Sequence, residues 1–217
     1  MTKKIEYANN SGKENGIDVR NDSRVRLMIF TKDKVAVQFN GPILKFSFVN
    51  PANLEPIMKL GPDPLRSDFN IDDLDNQIYQ RIKHNGTTLI ADLLLDQTCV
   101  AGIGNKYKSE ILFLSKINPF VTIKDISSNS VRTLLQQIPS VLYSGYMNSG
   151  ATRLVHNFFG KVDNDNNNTR RWSDKHWVFR SGGRPCWKCG SQIVTDYKLS
   201  ARVTFWCSKC QQWIKID

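Results

Sequence analysis

The sequence predicts an α+β protein: a few strands, then a block of helices, then a small hairpin clasped by cysteines. Three observations predict it. Between Arg24 and Val49 the runs RVRLMIF, KVAVQF and ILKFSFV are rich in Val, Ile and Phe and are broken by TKDK and NGP, the pattern of short strands. From about residue 71 to 147 the apolar residues recur at helical spacing. Near the end, Cys186-x2-Cys189 and Cys207-x2-Cys210 gather four of the five cysteines.

Taken in order, residues 1–18 are polar, rich in Asn, Gly and Lys and without periodicity, and are expected to form a flexible tail. The three strands leave one sheet face uncovered, so residues 19–66 read as part of a larger sheet plus a connector. That connector, LGPDPLRSDFN, carries Gly61, Pro62 and Pro64 and suits neither helix nor strand.

The helical domain is expected over 67–160. In IDDLDNQIYQRI, Ile71, Leu74, Ile78 and Ile82 share one stripe, and the early aspartates suit a helix N-terminus. TLIADLLLD, NKYKSEILFLSK and VRTLLQQIPSVLYSGYM extend the pattern to four helices, with Pro139 expected to kink the last. An Asn-rich linker over 161–183 leads to the cysteine module, 184–217, and there are no internal repeats.

The 217 residues are 40% hydrophobic, enough for a core in one or two modest domains. Thirty Lys and Arg against twenty Asp and Glu give a formal charge of +10, and the sequence pI is near 9.5, so a polyanionic partner is expected. No apolar run reaches eighteen residues and the N-terminus has no apolar signal core, which favours nucleic acid over membrane and an intracellular setting.

A reducing compartment makes thiolate-metal chemistry the reading of the paired cysteines. Two residues between the members of each pair let both sulfurs reach one ion, so Cys186, Cys189, Cys207 and Cys210 are expected to hold one structural zinc tetrahedrally. Four sulfur ligands leave no open position for a catalytic water. About thirty residues bury too little to fold alone, so the metal supplies the missing stability.

The fifth, Cys99, in DLLLDQTCVAG, reads as a small buried hydrophobe rather than a reactive thiol. The module is also basic, with Arg184, Lys188, Lys198, Arg202 and Lys209. Its Trp187, Tyr197, Phe205 and Trp206 either pack beside the metal or stack on bases. Arg202, near the expected hairpin turn, is placed to meet a phosphate bidentately; the alternative is a solvated surface arginine.

The second informative stretch is LLLDQTCVAGIGNKYKSEILFLSKINPF, residues 93–120. One helix ends near Cys99, a turn holds Gly102 and Gly104, and a second helix opens at about Asn105, followed by Lys106. Glycines permit positive φ and close approach of another backbone, and the free amides of a helix start favour a phosphate. Asn105 either caps that helix or turns its amide to the phosphate. Purely structural helix ends use glycine as well.

Together these stretches resemble the formamidopyrimidine-DNA glycosylase/endonuclease VIII (Fpg/Nei) family of base-excision repair enzymes. LLLDQ with AGIGNKYKSEILF is similar to its helix-two-turn-helix motif, and RPCWKCG with ARVTFWCSKCQ to its C-terminal zinc finger. LGPDPL is similar to the connector after its N-terminal β-sandwich, and HWVFRSGGRPC to the approach to its finger. The similarity runs from about Arg24 to Gln211.

The resemblance implies a partial β-sandwich, a helix-two-turn-helix domain and a zinc finger. It further implies that Gly102, Gly104, Asn105, Lys106 and Arg202 contact double-stranded, damaged DNA, with the protein acting as a monomer. Ala91-Asp92 and QFNGPI depart from the Fpg branch and favour the endonuclease VIII-like branch, whose usual substrates are oxidised pyrimidines.

Family catalysis uses an N-terminal proline amine and an adjacent glutamate: an α-amine of pKa about 8 is neutral often enough to attack the sugar C1′. This sequence begins Met-Thr-Lys-Lys, and only the later sandwich strands find a match, so an N-terminal part is expected to be missing or supplied by a complementing chain. Thr2, Lys3 and Lys4 offer amines, and Glu6 and Glu14 carboxylates, without the positioning such chemistry needs. No residue is assigned as catalytic, and His84, His156 and His176 show neither metal nor triad spacing.

Three functions fit: a glycosylase/AP lyase, a non-catalytic binder of damaged DNA, and a zinc-ribbon transcription accessory factor. The glycine turn and LGPDPL disfavour the third.

Overall fold

The computed structural model describes residues 13–14, 17–18, 22–41, 44–153 and 175–212. The chain divides into two compact units, Met1–Asn53 and Leu54–Asp217, so the expected 19–66 segment is split between them.

In the first unit, β1 (Lys13–Glu14) pairs antiparallel with β2 (Ile17–Asp18). The expected tail therefore holds a small ladder; the intervening Asn15-Gly16 is a strong two-residue hairpin signal. The rest of that tail lies outside the described residues. β3 (Val25–Phe30) pairs antiparallel with β4 (Val35–Phe39), with a register shift between Val25 and Leu27.

The third expected strand is absent: residues 44–50 have no regular structure, and among the described residues the hairpin pairs with no further strand. Period-two patterning makes a strand only when an edge accepts its hydrogen bonds. Phe46 and Phe48 are accordingly exposed.

The second unit begins with the connector, then α1 (Ile71–Asn85), α2 (Ile90–Leu93), α3 (Asn105–Leu114) and α4 (Ser128–Met147). Asn70 caps α1 by accepting the Asp72 N–H, and Ser127 caps α4 by accepting the Ser130 N–H, so short polar side chains fix both starts. On α1, Leu74 and Ile78 are buried and Ile82 packs partly, while Ile71 stays exposed at the helix start. α2 is one turn only, because the chain leaves it for the glycine-bearing turn.

α4 continues through Pro139 and buries Leu134, Leu135, Ile138, Val141 and Leu142. Gly145 in its last turn takes the close approach of the Tyr107 ring from α3. These faces join Ile90, Ile103, Ile111 and Leu112 in one core.

A second core joins Phe113 of α3 to Val178, Cys186, Ile193 and Cys207. β5 (Val194–Asp196) pairs antiparallel with β6 (Thr204–Trp206), the hairpin expected between the cysteine pairs. Residues 161–174 of the expected linker lie outside the described residues, but 175–183 pack down: His176, Val178 and Ser181 are buried. Among the described residues, no helix is long and apolar enough to cross a membrane.

Candidate nucleic-acid interface and metal centre

The turn between α2 and α3 is held from three sides. Gln97, half-buried, accepts the Gly102 N–H at 3.0 Å through Oε1 and donates to the Ile103 carbonyl at 2.8 Å through Nε2. From the connector, Gly61 N–H donates to Gln97 O, and Ala101 N–H donates to Pro62 O. A Cβ at Gly61 would stand 2.7 Å from the Cys99 carbonyl, so only glycine lets LGPDPL press on this turn. Cys99 is buried and its thiol is pushed up to about 11 by burial, the inert state expected of it.

Within the turn the two glycines serve different needs. Gly102 has φ +87, a conformation that side chains resist. Gly104 is extended, is the N-cap residue of α3 and has open space where a Cβ would stand. Asn105 is the first helical residue and does not cap α3; its Oδ1 is buried without a hydrogen-bond partner among the described residues. The first amides of α3 thus open beside exposed Gly104 with no side-chain cap across them, the arrangement that attracts an anion.

The polar residues that follow go in different directions. Lys106 donates to the Gly150 carbonyl at 2.8 Å and lies over the Tyr107 ring, so its ammonium turns toward the end of α4. Lys108 is fully buried and donates to Thr204 Oγ1 at 2.8 Å, Arg202 O at 3.2 Å and Val203 O at 3.3 Å. Burial pushes Lys108 down to about 8, with Asp92 opposing.

Glu110, also fully buried, accepts the N–H groups of Trp177, Val178 and Phe179 at 2.8–2.9 Å and the Thr152 hydroxyl. With that hydroxyl donated to Glu110, the 2.9 Å contact with His176 Nδ1 runs from ring N–H to Thr152. Burial, with Lys106, Lys175 and Arg180, pushes His176 down to about 4, so the ring is neutral.

The hairpin tip therefore sits against the first turn of α3. Arg202 is exposed, with its own carbonyl held by Lys108 three residues into the helix from Asn105. Of the four aromatics, Phe205 packs edge-on against Phe179, and Trp206 against Phe120. Trp187 and Tyr197 remain exposed, and the Arg153 guanidinium lies 3.7 Å from the Trp187 ring centre.

All four paired cysteines offer sulfurs within 4.8 Å of one another. Cys186 Sγ is 3.9 Å from Cys210 Sγ, and Cys189 Sγ is 3.4 Å from Cys207 Sγ. Zinc at about 2.3 Å from four thiolates sets neighbouring sulfurs about 3.8 Å apart, so the residues fit one tetrahedral ion.

Each pair lies on a tight turn: Gly190 N–H donates to Cys186 O with Gly190 at φ +73, and Gln211 N–H donates to Cys207 O. Burial first, then neighbouring sulfurs, push the Cys210 thiol up, and burial also raises Cys207, whereas hydrogen bonds from Ser191 bring Cys189 down to about 6; an ion held here would displace the remaining thiol protons, so its binding tightens as pH rises.

Gln97, Lys108, Glu110, Thr152 and Gln211, and the hydrogen-bonding role of Asp92, are among the residues that sequence reasoning missed. A glutamate at helical spacing reads as solvated surface, and nothing local says that residues 177–179 present it three amides.

Residues 60–155 match the family profile described as formamidopyrimidine-DNA glycosylase H2TH domain. The chain is similar to formamidopyrimidine-DNA glycosylase of Prochlorococcus marinus NATL2A, 32% identical over 162 residues, 75% of this chain and 53% of that protein. Its counterpart in Heliobacterium modesticaldum is 33% identical over 154 residues, 71% and 51% of the two chains.

Among solved structures, Lactococcus lactis Fpg in complex with an abasic-site DNA aligns at TM-score 0.54 and 28% identity, over 71% of this chain and 52% of that one. The same protein bound to an oxidised-pyrimidine DNA aligns equally well, at TM-score 0.54 and 28% identity over the same shares. The chain thus spans about half the length of the curated relatives it matches. Its helical domain, cysteine cluster and relatives place it in one group: the chain belongs to the formamidopyrimidine-DNA glycosylase/endonuclease VIII (Fpg/Nei) family.

Proposed function

We propose that this chain is the DNA-gripping part of a base-excision repair protein, binding damaged double-stranded DNA through the Gly102–Asn105 turn and Arg202. The observation that carries the reading is the Lys108–Arg202 contact, which ties the backbone of the exposed arginine to α3, the helix whose first amides carry no side-chain cap. Two anion seats joined through one helix suit phosphates of a single duplex in this reading, and the net charge of +10 favours the encounter. Lys106 joins the seat through its charge, while its hydrogen bond goes to Gly150.

One zinc held by Cys186, Cys189, Cys207 and Cys210 is structural in this reading: it fixes the hairpin that carries Arg202. The chemistry of the family, excision of an oxidised base followed by AP-lyase cleavage, is proposed for the protein as a whole, with no catalytic residue assigned among those described.

Ala91-Asp92 and QFNGPI support the endonuclease VIII-like branch and oxidised pyrimidines. Exposed Ile29, Phe30, Phe46 and Phe48 in the first unit support a complementing β-rich chain. The proposed setting is inside the cell, one chain per site on DNA.

The test is binding of the zinc-loaded chain to duplexes with and without an abasic-site analogue, followed by fluorescence anisotropy across a salt series. Affinity falling steeply with salt, preference for the abasic duplex, and a slope reduced by about one in Arg202→Ala support the reading. A slope unmoved by Arg202→Ala, or no binding at low salt, overturns it.

A further inference from the structure

The loop joining β5 to β6 runs from Tyr197 to Val203, too long for a tight hairpin turn. Loops of this length on a small module move unless tied down, and a moving loop loses affinity when a ligand orders it. This one is tied along its whole length. At its entry, Asp196 Oδ1 accepts the N–H groups of Lys198 at 3.0 Å and Leu199 at 2.8 Å.

At its apex, Asp92 of α2 accepts the Ser200 hydroxyl at 2.6 Å and the Ala201 N–H at 2.9 Å. At its exit, the buried Lys108 ammonium of α3 holds the carbonyls of Arg202 and Val203 and the Thr204 hydroxyl.

The placement of these two partners carries the inference. Asp92 and Lys108 stand on α2 and α3, the two helices that frame the Gly102–Asn105 turn. One holds the backbone just before Arg202, the other the backbone at and after it, while the arginine side chain is left exposed. Charge-assisted bonds to buried or half-buried groups are among the stronger hydrogen bonds, and a lysine buried against three oxygens has no other visible task.

We propose that Asp92 and Lys108 are positioning residues that fix the Tyr197–Val203 loop before a ligand arrives, so that Arg202 and the Gly102–Asn105 turn meet a DNA backbone as one preformed grip. The part of this concerning DNA rests on the function proposed above; the loop fixation does not.

Two measurements on the full zinc-loaded chain separate the parts. Amide hydrogen exchange without DNA reads the lock directly: Ala201 N–H is expected to exchange slowly in the parent and roughly tenfold faster or more in Asp92→Ala. Asp92→Asn, which keeps an acceptor oxygen, restores much of the protection. Equal exchange of Ala201 in the parent and Asp92→Ala overturns the lock.

A double-mutant cycle on abasic duplex then reads positioning. Asp92→Ala is expected to weaken binding about five- to tenfold in the parent and to do little in an Arg202→Ala background. Full additivity of the two changes overturns the positioning role. A parent that binds no duplex overturns the DNA reading and leaves Ala201 exchange to decide the lock. Lys108→Met, which keeps the aliphatic stem, gives the same readouts from the other side of the loop, and zinc content confirms that each variant retains its finger.

Discussion

Gln211 Nε2 donates to the Ile117 carbonyl at 2.8 Å from one end of its amide, while Oε1 at the other accepts the Cys207 N–H at 2.9 Å. A single fully buried side chain thereby ties the second cysteine turn to the segment following α3. Gln211→Ala leaves a donor and an acceptor without partners in a dry site, at about 1–3 kcal/mol for each. The variant is expected to unfold at lower urea and to lose metal to a chelator faster than the parent. Unchanged stability and release would show that water replaces both bonds.

The two glycines of the turn are expected to separate folding from binding. Gly102→Ala places a side chain at φ +87 and is expected to cost roughly 1 kcal/mol or more, read by urea unfolding. Gly104→Ala meets only open space at an allowed extended backbone, so its cost is expected to be only that of a poorer N-cap, under about 1 kcal/mol. On the proposed reading its added methyl stands where a phosphate would approach the α3 amides, so DNA affinity is expected to fall by more than this small loss of stability explains. Loss of stability with intact binding would reverse the assignment.

Much of this site was legible in the sequence because its signals are local. CxxC spacing, a GxG turn ahead of a helical period, and a proline-flanked glycine each report conformation over a few residues, and all lie in the second unit. The third strand was misread because ILKFSFV has the composition of a strand but no described edge to pair with. Asp92, Lys108, Glu110 and Gln211 were not legible for the opposite reason. Most of their partners lie 67 to 109 positions away, and a charged residue in a helix reads as solvated until the fold buries it. Capping shows the same limit: Asn105 looks like an N-cap by type, yet Gly104 takes that place.

Metal removal tests the second core. Cys186 and Cys207 lie in one apolar cluster with Phe113, Val178 and Ile193, so the cysteine turns are part of what packs against α3. Cys186→Ser is expected to abolish stoichiometric zinc and to loosen the hairpin, since a module this small relies on its ion for stability. Near-ultraviolet dichroism of Trp177 and Trp206 reports the loosening, and metal analysis reports the zinc. Full zinc content in the variant would contradict a four-cysteine centre.

His176 sets an acid limit whose sign follows from burial. Its ring is fully buried, donates to Thr152 and is pushed down to about 4 from an ordinary 6.5 by burial, with Lys106, Lys175 and Arg180 adding to the effect. Between those values the unfolded chain binds a proton that the folded one refuses, so stability is full above about pH 6.5 and falls as pH drops toward 4. The contribution is on the order of 3 kcal/mol across that window.

His176→Gln keeps an N–H donor for Thr152 and removes the titration. Urea midpoints measured from pH 7.5 to 4.5 are expected to fall more steeply for the parent than for the variant. Acid protonation of the cysteine cluster contributes to both proteins and cancels in the difference. Parallel curves would show that His176 gains its proton without leaving its place beside Thr152, and that the Glu110 network tolerates a charged ring.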